Sequence, residues 1–183
     1  ITLAPAEVLR VPKPEAADGA PIVLSEEQQA AYDGVVQRLD GESASCALLY
    51  GVTGSGKTLV YIRLLQEVVR RGRRGMILVP EIALTPQMMA KFTAYFGGRV
   101  VMLHSGLRMT ERYDQWKRIR RGEVDVVLGT RSAVFAPLED LGMVILDEEH
   151  DGSYQSENPP RYHTRDVAKF LCTQQGAALV LGS

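Results

Sequence analysis

Residues 47 to 58 read A-L-L-Y-G-V-T-G-S-G-K-T, a short apolar run followed by a complete G-x-x-x-x-G-K-[ST] pattern. Ala47 to Tyr50 has the length and composition of a buried strand, and from Lys57 to Arg71 apolar residues recur at helical spacing. Strand, glycine-rich turn and helix in that order are what a phosphate-binding loop requires. Gly51, Gly54 and Gly56 allow a tight turn that points consecutive N–H groups inward, beside the positive end of the following helix. Lys57 supplies a point charge for the β- and γ-phosphates, and Thr58 a hydroxyl for Mg²⁺. The loop residues Gly51, Thr53, Gly54, Ser55, Gly56, Lys57 and Thr58 are the candidate nucleotide-binding set, with ATP and Mg²⁺ as ligands.

Outward from this loop the chain alternates β-branched runs with amphipathic stretches. Strands are expected at Ala47 to Tyr50, Met76 to Val79, Val100 to Leu103, Val124 to Leu128, Met143 to Leu146 and Ala178 to Leu181. Helices are expected over Glu26 to Leu39, Lys57 to Arg71, Pro86 to Phe96, Glu111 to Arg121 and Arg165 to Gln174. This β-α-β rhythm predicts a RecA-like α/β P-loop domain, a mostly parallel sheet with helices on both faces. Residues 1 to 21 carry Pro5, Pro12, Pro14 and Pro21 and read as a linker from an upstream domain, with the lobe itself over 22 to 183.

The run Met143 to His150, M-V-I-L-D-E-E-H, brings four apolar residues to an acidic end. Ligands of open α/β sheets sit at the carboxyl edge of the strands, so Asp147 is placed for the metal shell and Glu148 for orienting or deprotonating the attacking water. Lys57, Asp147 and Glu148 are the candidate catalytic residues, and Thr58 and Asp147 the candidate Mg²⁺ ligands. Gln28 stands in L-S-E-E-Q, where an amide can read the adenine edge; Ser25 and Gln28 also spell an S-x-x-Q capping box that needs no nucleotide.

Composition excludes other classes. The 183 residues are 45% hydrophobic and 23% charged, which fits one globular domain and neither a disordered nor a membrane chain. A net charge of -1 gives no general attraction to nucleic acid, so DNA contact must rest on local groups. Cys46 and Cys172 form no metal or disulfide pattern and are expected as buried small hydrophobes. No long apolar run or leader pattern is present, and a cytoplasmic location is expected.

D-E-E-H with G-V-T-G-S-G-K-T resembles superfamily 2 helicases, specifically the PriA family of replication-restart enzymes. Leu78 to Gln87, L-V-P-E-I-A-L-T-P-Q, is similar to that family's motif Ia, and Leu103 to Leu107, L-H-S-G-L, to the segment after it. Gly129 to Phe135, G-T-R-S-A-V-F, is similar to motif Ib, and Leu179 to Ser183, L-V-L-G-S, to the strand entering motif III. The resemblance implies a first motor lobe, cut within motif III, of an enzyme that couples ATP hydrolysis to 3′-to-5′ translocation and unwinding at stalled forks. It implies forked and single-stranded DNA, single-strand DNA-binding protein and primosome proteins as partners, a monomer, and zinc only in a part of the parent absent here. Asp151 to Arg165 resembles the aromatic loop that couples DNA contact to hydrolysis, although Pro159-Pro160 stands where the family carries Trp.

The candidate DNA and coupling residues are Thr130, Arg131, Ser132, His150, Tyr154, Arg161, Tyr162 and His163. Stacking is expected of Tyr154, Tyr162 and His163, and phosphate contact of Arg161 and of Thr130, Arg131 and Ser132, which follow a strand at the ligand edge of the sheet. Arg70, Arg71, Arg73 and Arg74 complement a helix C-terminus, and Lys117, Arg118, Arg120 and Arg121 are the polar end of a helix whose Tyr113 and Trp116 form a core stripe. Fast hydrolysis needs a cation against the γ-phosphate, often supplied by another lobe, so the isolated chain is expected to turn over slowly. A P-loop kinase or GTPase and a scaffold with a vestigial site are the rival readings; no N-K-x-D base-reading motif supports the former.

Overall fold

The computed structural model describes residues 19–41, 44–52 and 54–183. Six strands, β1 (Ser45–Leu49), β2 (Arg74–Leu78), β3 (Val100–Leu103), β4 (Val126–Gly129), β5 (Leu141–Leu146) and β6 (Ala178–Gly182), form one sheet in the order β1-β6-β5-β2-β4-β3. Every pairing is parallel. Five α-helices connect or flank them: α1 (Glu26–Leu39), α2 (Lys57–Arg70), α3 (Pro86–Phe96), α4 (Met109–Arg120) and α5 (Thr164–Gln175). Each expected element is present, with ends moved by a few residues.

Both faces of the sheet are covered. Met76 and Leu78 of β2, with Val144 and Leu146 of β5, face a core closed by α4, α5 and the 3-10 turn Arg131–Phe135. The alternate residues Ile77, Met143 and Ile145 face a second core closed by α1, α2 and α3. A period of two along each strand therefore supplies two apolar faces. The chain steps away from β1 over one face, through α2 and α3, and returns over the other through α4 and α5, as right-handed crossovers demand.

Register aligns the strand ends. Leu49 pairs with Gly182, Leu146 with Leu181 and with Leu78, and Leu78 with Gly129. The glycine-rich loop, the D-E-E-H turn, the segment after β2 and the Thr130–Ser132 segment consequently leave from one edge.

Three expectations are corrected here. Tyr113 is 63% exposed and lies under the Lys117 ammonium, 4.7 Å from its ring centroid, whereas Trp116, partly buried, does pack against the core. The inward side of α4 instead carries Asp114, Gln115, Arg118 and Ile119. Arg118 can be buried there because its guanidinium donates to Gln115 and to the Gly98 carbonyl. Cys46 is exposed, because α5 covers β5 and β6 and leaves that side of edge strand β1 open; Cys172 is buried, and burial pushes its thiol up to about 12. Packing also begins before Ile22, since the Gly19 N–H donates to the Ala94 carbonyl at 2.7 Å; the rest of the expected linker, 1 to 18, lies outside the described residues.

Candidate nucleotide site

α1 is fastened to the phosphate loop at its first turn. Ser25 and Gln28 form the expected capping box: the Gln28 N–H donates to Ser25 Oγ and the Ser25 N–H to Gln28 Oε1. The other end of the same amide, Nε2, donates to the Ser55 carbonyl at 2.8 Å. Gln28 thus caps its own helix and holds the loop with one side chain. Gly56 adopts φ 80°, so the backbone conformation calls for glycine, and a Cβ there, 2.5 Å from Gln28 Nε2, would push the amide off the Ser55 carbonyl. A cavity of about 200 Å³ between these parts is lined by Gln28, Tyr50, Gly51, Ser55 and Lys57 among others. A cavity of about 510 Å³ on the open side of β1 contains none of the candidate site residues.

Lys57 opens α2 and turns its ammonium to the Gly51 carbonyl at 2.9 Å and to Glu148 Oε1 at 3.1 Å. Its side chain is 11% exposed and that of Glu148 33%. Residues separated by 91 positions meet here, uniting the two sequence signatures. Glu148 has φ 47°, a left-handed conformation unusual outside glycine and costing about 1–2 kcal/mol. The sharp turn is held by Glu149 N–H donating to the Gly182 carbonyl and Asp151 N–H donating to the Glu148 carbonyl, both at 2.8 Å.

Asp147 is half-buried, and burial raises its carboxyl above the usual carboxylate range, against a lowering influence from a Tyr61 hydrogen bond. Tyr61 is wholly buried and its hydroxyl donates to Asp147 Oδ1 at 2.8 Å. Burial first, then the Asp147 charge, push the Tyr61 phenol far up, so it remains a donor. Sequence reading missed Tyr61; its only signal is a hydroxyl one helical turn beyond Thr58, on the same side of α2.

The donor set suits Mg²⁺: a carboxylate and a hydroxyl, all hard oxygen. The described residues hold no cluster of three or more His, Cys, Asp or Glu that would form an all-protein cage, and Mg²⁺ characteristically binds one or two carboxylates together with substrate phosphates and water.

Ser183 and Gly182 tie the halves together. Gly51 N–H donates to the Ser183 carbonyl at 2.9 Å, and Ser183 Oγ lies 3.4 Å from His150 Nδ1. His150 is exposed and its Nε2 lies 3.6 Å from Glu148 Oε2.

The candidate DNA residues separate into surface and interior. Tyr154 is a correction: it is 0% exposed and has no ring face for a base. Its hydroxyl lies 2.9 Å from the Leu78 carbonyl and 2.7 Å from that of Asp147, bracing the ends of β2 and β5. Thr130 is likewise corrected as a direct phosphate contact, being 3% exposed with its N–H donating to the Leu103 carbonyl. In both cases the sheet edge needed its backbone carbonyls satisfied, and these residues do so. Arg131 clasps the post-acidic loop through the Ser153 and Gln155 carbonyls at 3.2 and 2.8 Å. Ser132 is exposed. Arg161 is exposed with Nε donating to the Glu157 carbonyl. Tyr162 meets Phe135 edge-on, with centroids 4.9 Å apart, and His163 caps α5 through the Arg165 N–H. Thr53 lies outside the described residues.

The sequence profile of the DEAD/DEAH box helicase family matches residues 25–179. Replication restart protein PriA of Bacillus subtilis (strain 168) is 47% identical over 163 residues, covering 89% of this chain and 20% of that protein. The PriA protein of Treponema pallidum (strain Nichols) is 45% identical over 160 residues, 87% of this chain and 24% of that protein. The chain thus spans about a fifth to a quarter of the length of these relatives. Among solved structures, RecG bound to a three-way DNA junction matches with TM-score 0.67 at 23% identity, over 89% of this chain and 21% of RecG. The UvsW helicase from Bacteriophage T4 matches with TM-score 0.58 at 19% identity, over 95% of this chain and 57% of UvsW. At these identities the two structures speak to the fold alone.

Proposed function

The chain belongs to the DEAD/DEAH box helicase family, and we propose that it is the ATP-binding first lobe of a replication-restart DNA helicase moving 3′ to 5′ along single strands at stalled forks. The observation that carries this is the meeting of Lys57 and Glu148 at 3.1 Å, the cation of the glycine-rich loop and a carboxylate of the D-E-E-H turn at one edge. The PriA relatives, 45–47% identical in this region, supply the replication-restart context.

In this reading the loop N–H groups and Lys57 receive the phosphates, while Gln28 contacts the adenine edge. Asp147 and Thr58 would hold Mg²⁺, which would neutralise phosphate charge, and Glu148 is placed to orient and deprotonate the attacking water. DNA contact falls to Arg131, Ser132, Arg161, Tyr162 and His163 around the loop after β5, and His150 links Glu148 to Ser183. Single-strand DNA-binding protein and primosome proteins are partners of the whole protein, zinc belongs to another part of it, and it acts as a monomer in the cytoplasm. Among the described residues no helix is long and apolar enough to cross a membrane.

The test is an unwinding assay with the full-length protein that carries this segment, on duplexes with a 3′ or a 5′ single-stranded tail. ATP-dependent separation of the 3′-tailed duplex is expected. Separation of the 5′-tailed duplex alone, or of neither, contradicts the proposal.

A further inference from the structure

We propose that Tyr61 is a positioning residue for the metal site: its hydroxyl sets Asp147 against Thr58, and glycine at position 182 is required to leave that hydroxyl its place. The inference rests on the reading of this edge as an Mg²⁺-nucleotide site. Thr58 and Tyr61 lie one turn apart on α2, so their side chains emerge on the same side of the helix. Tyr61 is fully buried among the core residues, and its hydroxyl donates to Asp147 Oδ1 at 2.8 Å, across 86 positions of sequence. α2 carries both the Thr58 hydroxyl and the group that fixes Asp147, and so determines how far apart the two metal-binding oxygens stand.

The third strand in the arrangement is β6, which runs between β1 and β5. A Cβ at Gly182 would fall 2.0 Å from the Tyr61 hydroxyl oxygen, 3.1 Å from Tyr61 Cζ and 3.0 Å from Asp147 Oδ1. The first separation is impossible and the others are tight but tolerable. Any side chain at position 182 therefore collides with the hydroxyl itself, rather than with the ring. Gly182 has no positive φ, so the requirement is one of space and not of backbone conformation. Outer-shell partners that orient a ligating carboxylate are worth about ten- to a hundred-fold in metal affinity.

The test is titration of the 183-residue chain with the fluorescent nucleotide mant-ADP, in Mg²⁺ and separately in EDTA, for wild type, Tyr61→Phe, Gly182→Ala and the double variant. Mn²⁺ binding followed by electron paramagnetic resonance gives a second readout. Tyr61→Phe is expected to weaken the Mg²⁺-dependent affinity about ten-fold and leave the affinity in EDTA unchanged. Gly182→Ala is expected to do the same in the wild-type background and much less in the Tyr61→Phe background, since the atom it collides with is gone. Equal loss in Mg²⁺ and EDTA, Mg²⁺ dependence and Mn²⁺ binding equal to wild type, or strictly additive effects of the two substitutions overturns the proposal. A wild-type chain with the same affinity in Mg²⁺ and EDTA instead overturns the metal-site reading beneath it.

Discussion

Lys57 and Glu148 are neighbours because β1 and β5 end at the same sheet edge, and each is the polar partner that makes the other's partial burial tolerable. A charge-assisted hydrogen bond is worth about 1.5–3 kcal/mol, and in nucleotide the phosphates compete for the same ammonium. Lys57→Ala is therefore expected to weaken nucleotide binding by roughly ten- to a hundred-fold. The melting temperature should shift by no more than about 2 °C, since Glu148 is one-third exposed and water can replace its partner. A fluorescent-nucleotide titration beside a thermal melt checks both halves. At this scale the sequence is legible where chemistry is local. The loop glycines, Lys57 and the acids announce themselves because their spacing along the chain is the signal. Tyr61 does not, because its partner is distant in sequence and a tyrosine on an apolar helix face reads as core. Tyr154 misleads for the related reason that its hydroxyl serves two backbone carbonyls no sequence pattern displays.

At the level of elements, α1 and α2 are joined by polar bonds at both ends. At the N-terminal end, Gln28 divides its amide between the capping box and the Ser55 carbonyl. Gln28→Ala removes both bonds and is expected to cost about 1–2 kcal/mol. Gln28→Glu keeps the cap acceptor but sets a carboxylate against a carbonyl, so it should retain helix stability while weakening nucleotide binding. Chemical denaturation and nucleotide titration of the two variants separate the roles; equal stability of both would show that the cap contributes nothing, and nucleotide binding by Gln28→Glu equal to wild type would show that the loop bond contributes nothing.

At the other end, Glu67 receives Arg70 and Arg71, each at 2.7 Å, and Arg71 also reaches Asp40 at the end of α1. The hydrogen bonds from Arg70 and Arg71 hold the Glu67 carboxyl down to about 2, from 4.5. A lowered folded-state value contributes stability that is full above 4.5 and is lost as pH falls toward 2. Arg70 is largely exposed, which screens the effect to about 1 kcal/mol. Glu67→Gln should accordingly lower the melting temperature by about 2–4 °C at pH 7 and flatten its fall between pH 4.5 and 2. An unchanged acid limb in a pH series of melts contradicts this. The elements themselves were legible from β-branched runs and caps, whereas the rotation of α4 was not. Met109, Tyr113, Trp116 and Ile119 allow more than one inward face, and the one turned inward carries Arg118, which donates to Gln115 and to the Gly98 carbonyl. Arg73 shows the same limit: placed with the solvated arginines, it donates instead to the Gly176 carbonyl at 2.9 Å and closes the C-terminus of α5.

For the whole molecule, a doubly wound parallel sheet brings the ends of its six strands to one edge, and the candidate nucleotide groups follow β1 and β5, with β6 between them, while Arg131 and Ser132 follow β4. The two sets share a frame: Arg131 grips the loop that follows the acids, and Tyr154 braces the end of β2 against Asp147. The chain covers a fifth of its Bacillus subtilis relative, and the cation that speeds hydrolysis in P-loop motors is commonly supplied by a second lobe or subunit. The isolated chain is therefore expected to hydrolyse ATP slowly and without response to DNA. The decisive measurement is the steady-state ATPase rate of the full-length protein carrying this segment, with and without single-stranded DNA, beside its Lys57→Ala and Glu148→Gln variants. Strong stimulation by DNA that both substitutions abolish is the predicted result; turnover that ignores DNA, or that survives Glu148→Gln, contradicts the assignment of this edge as a helicase motor.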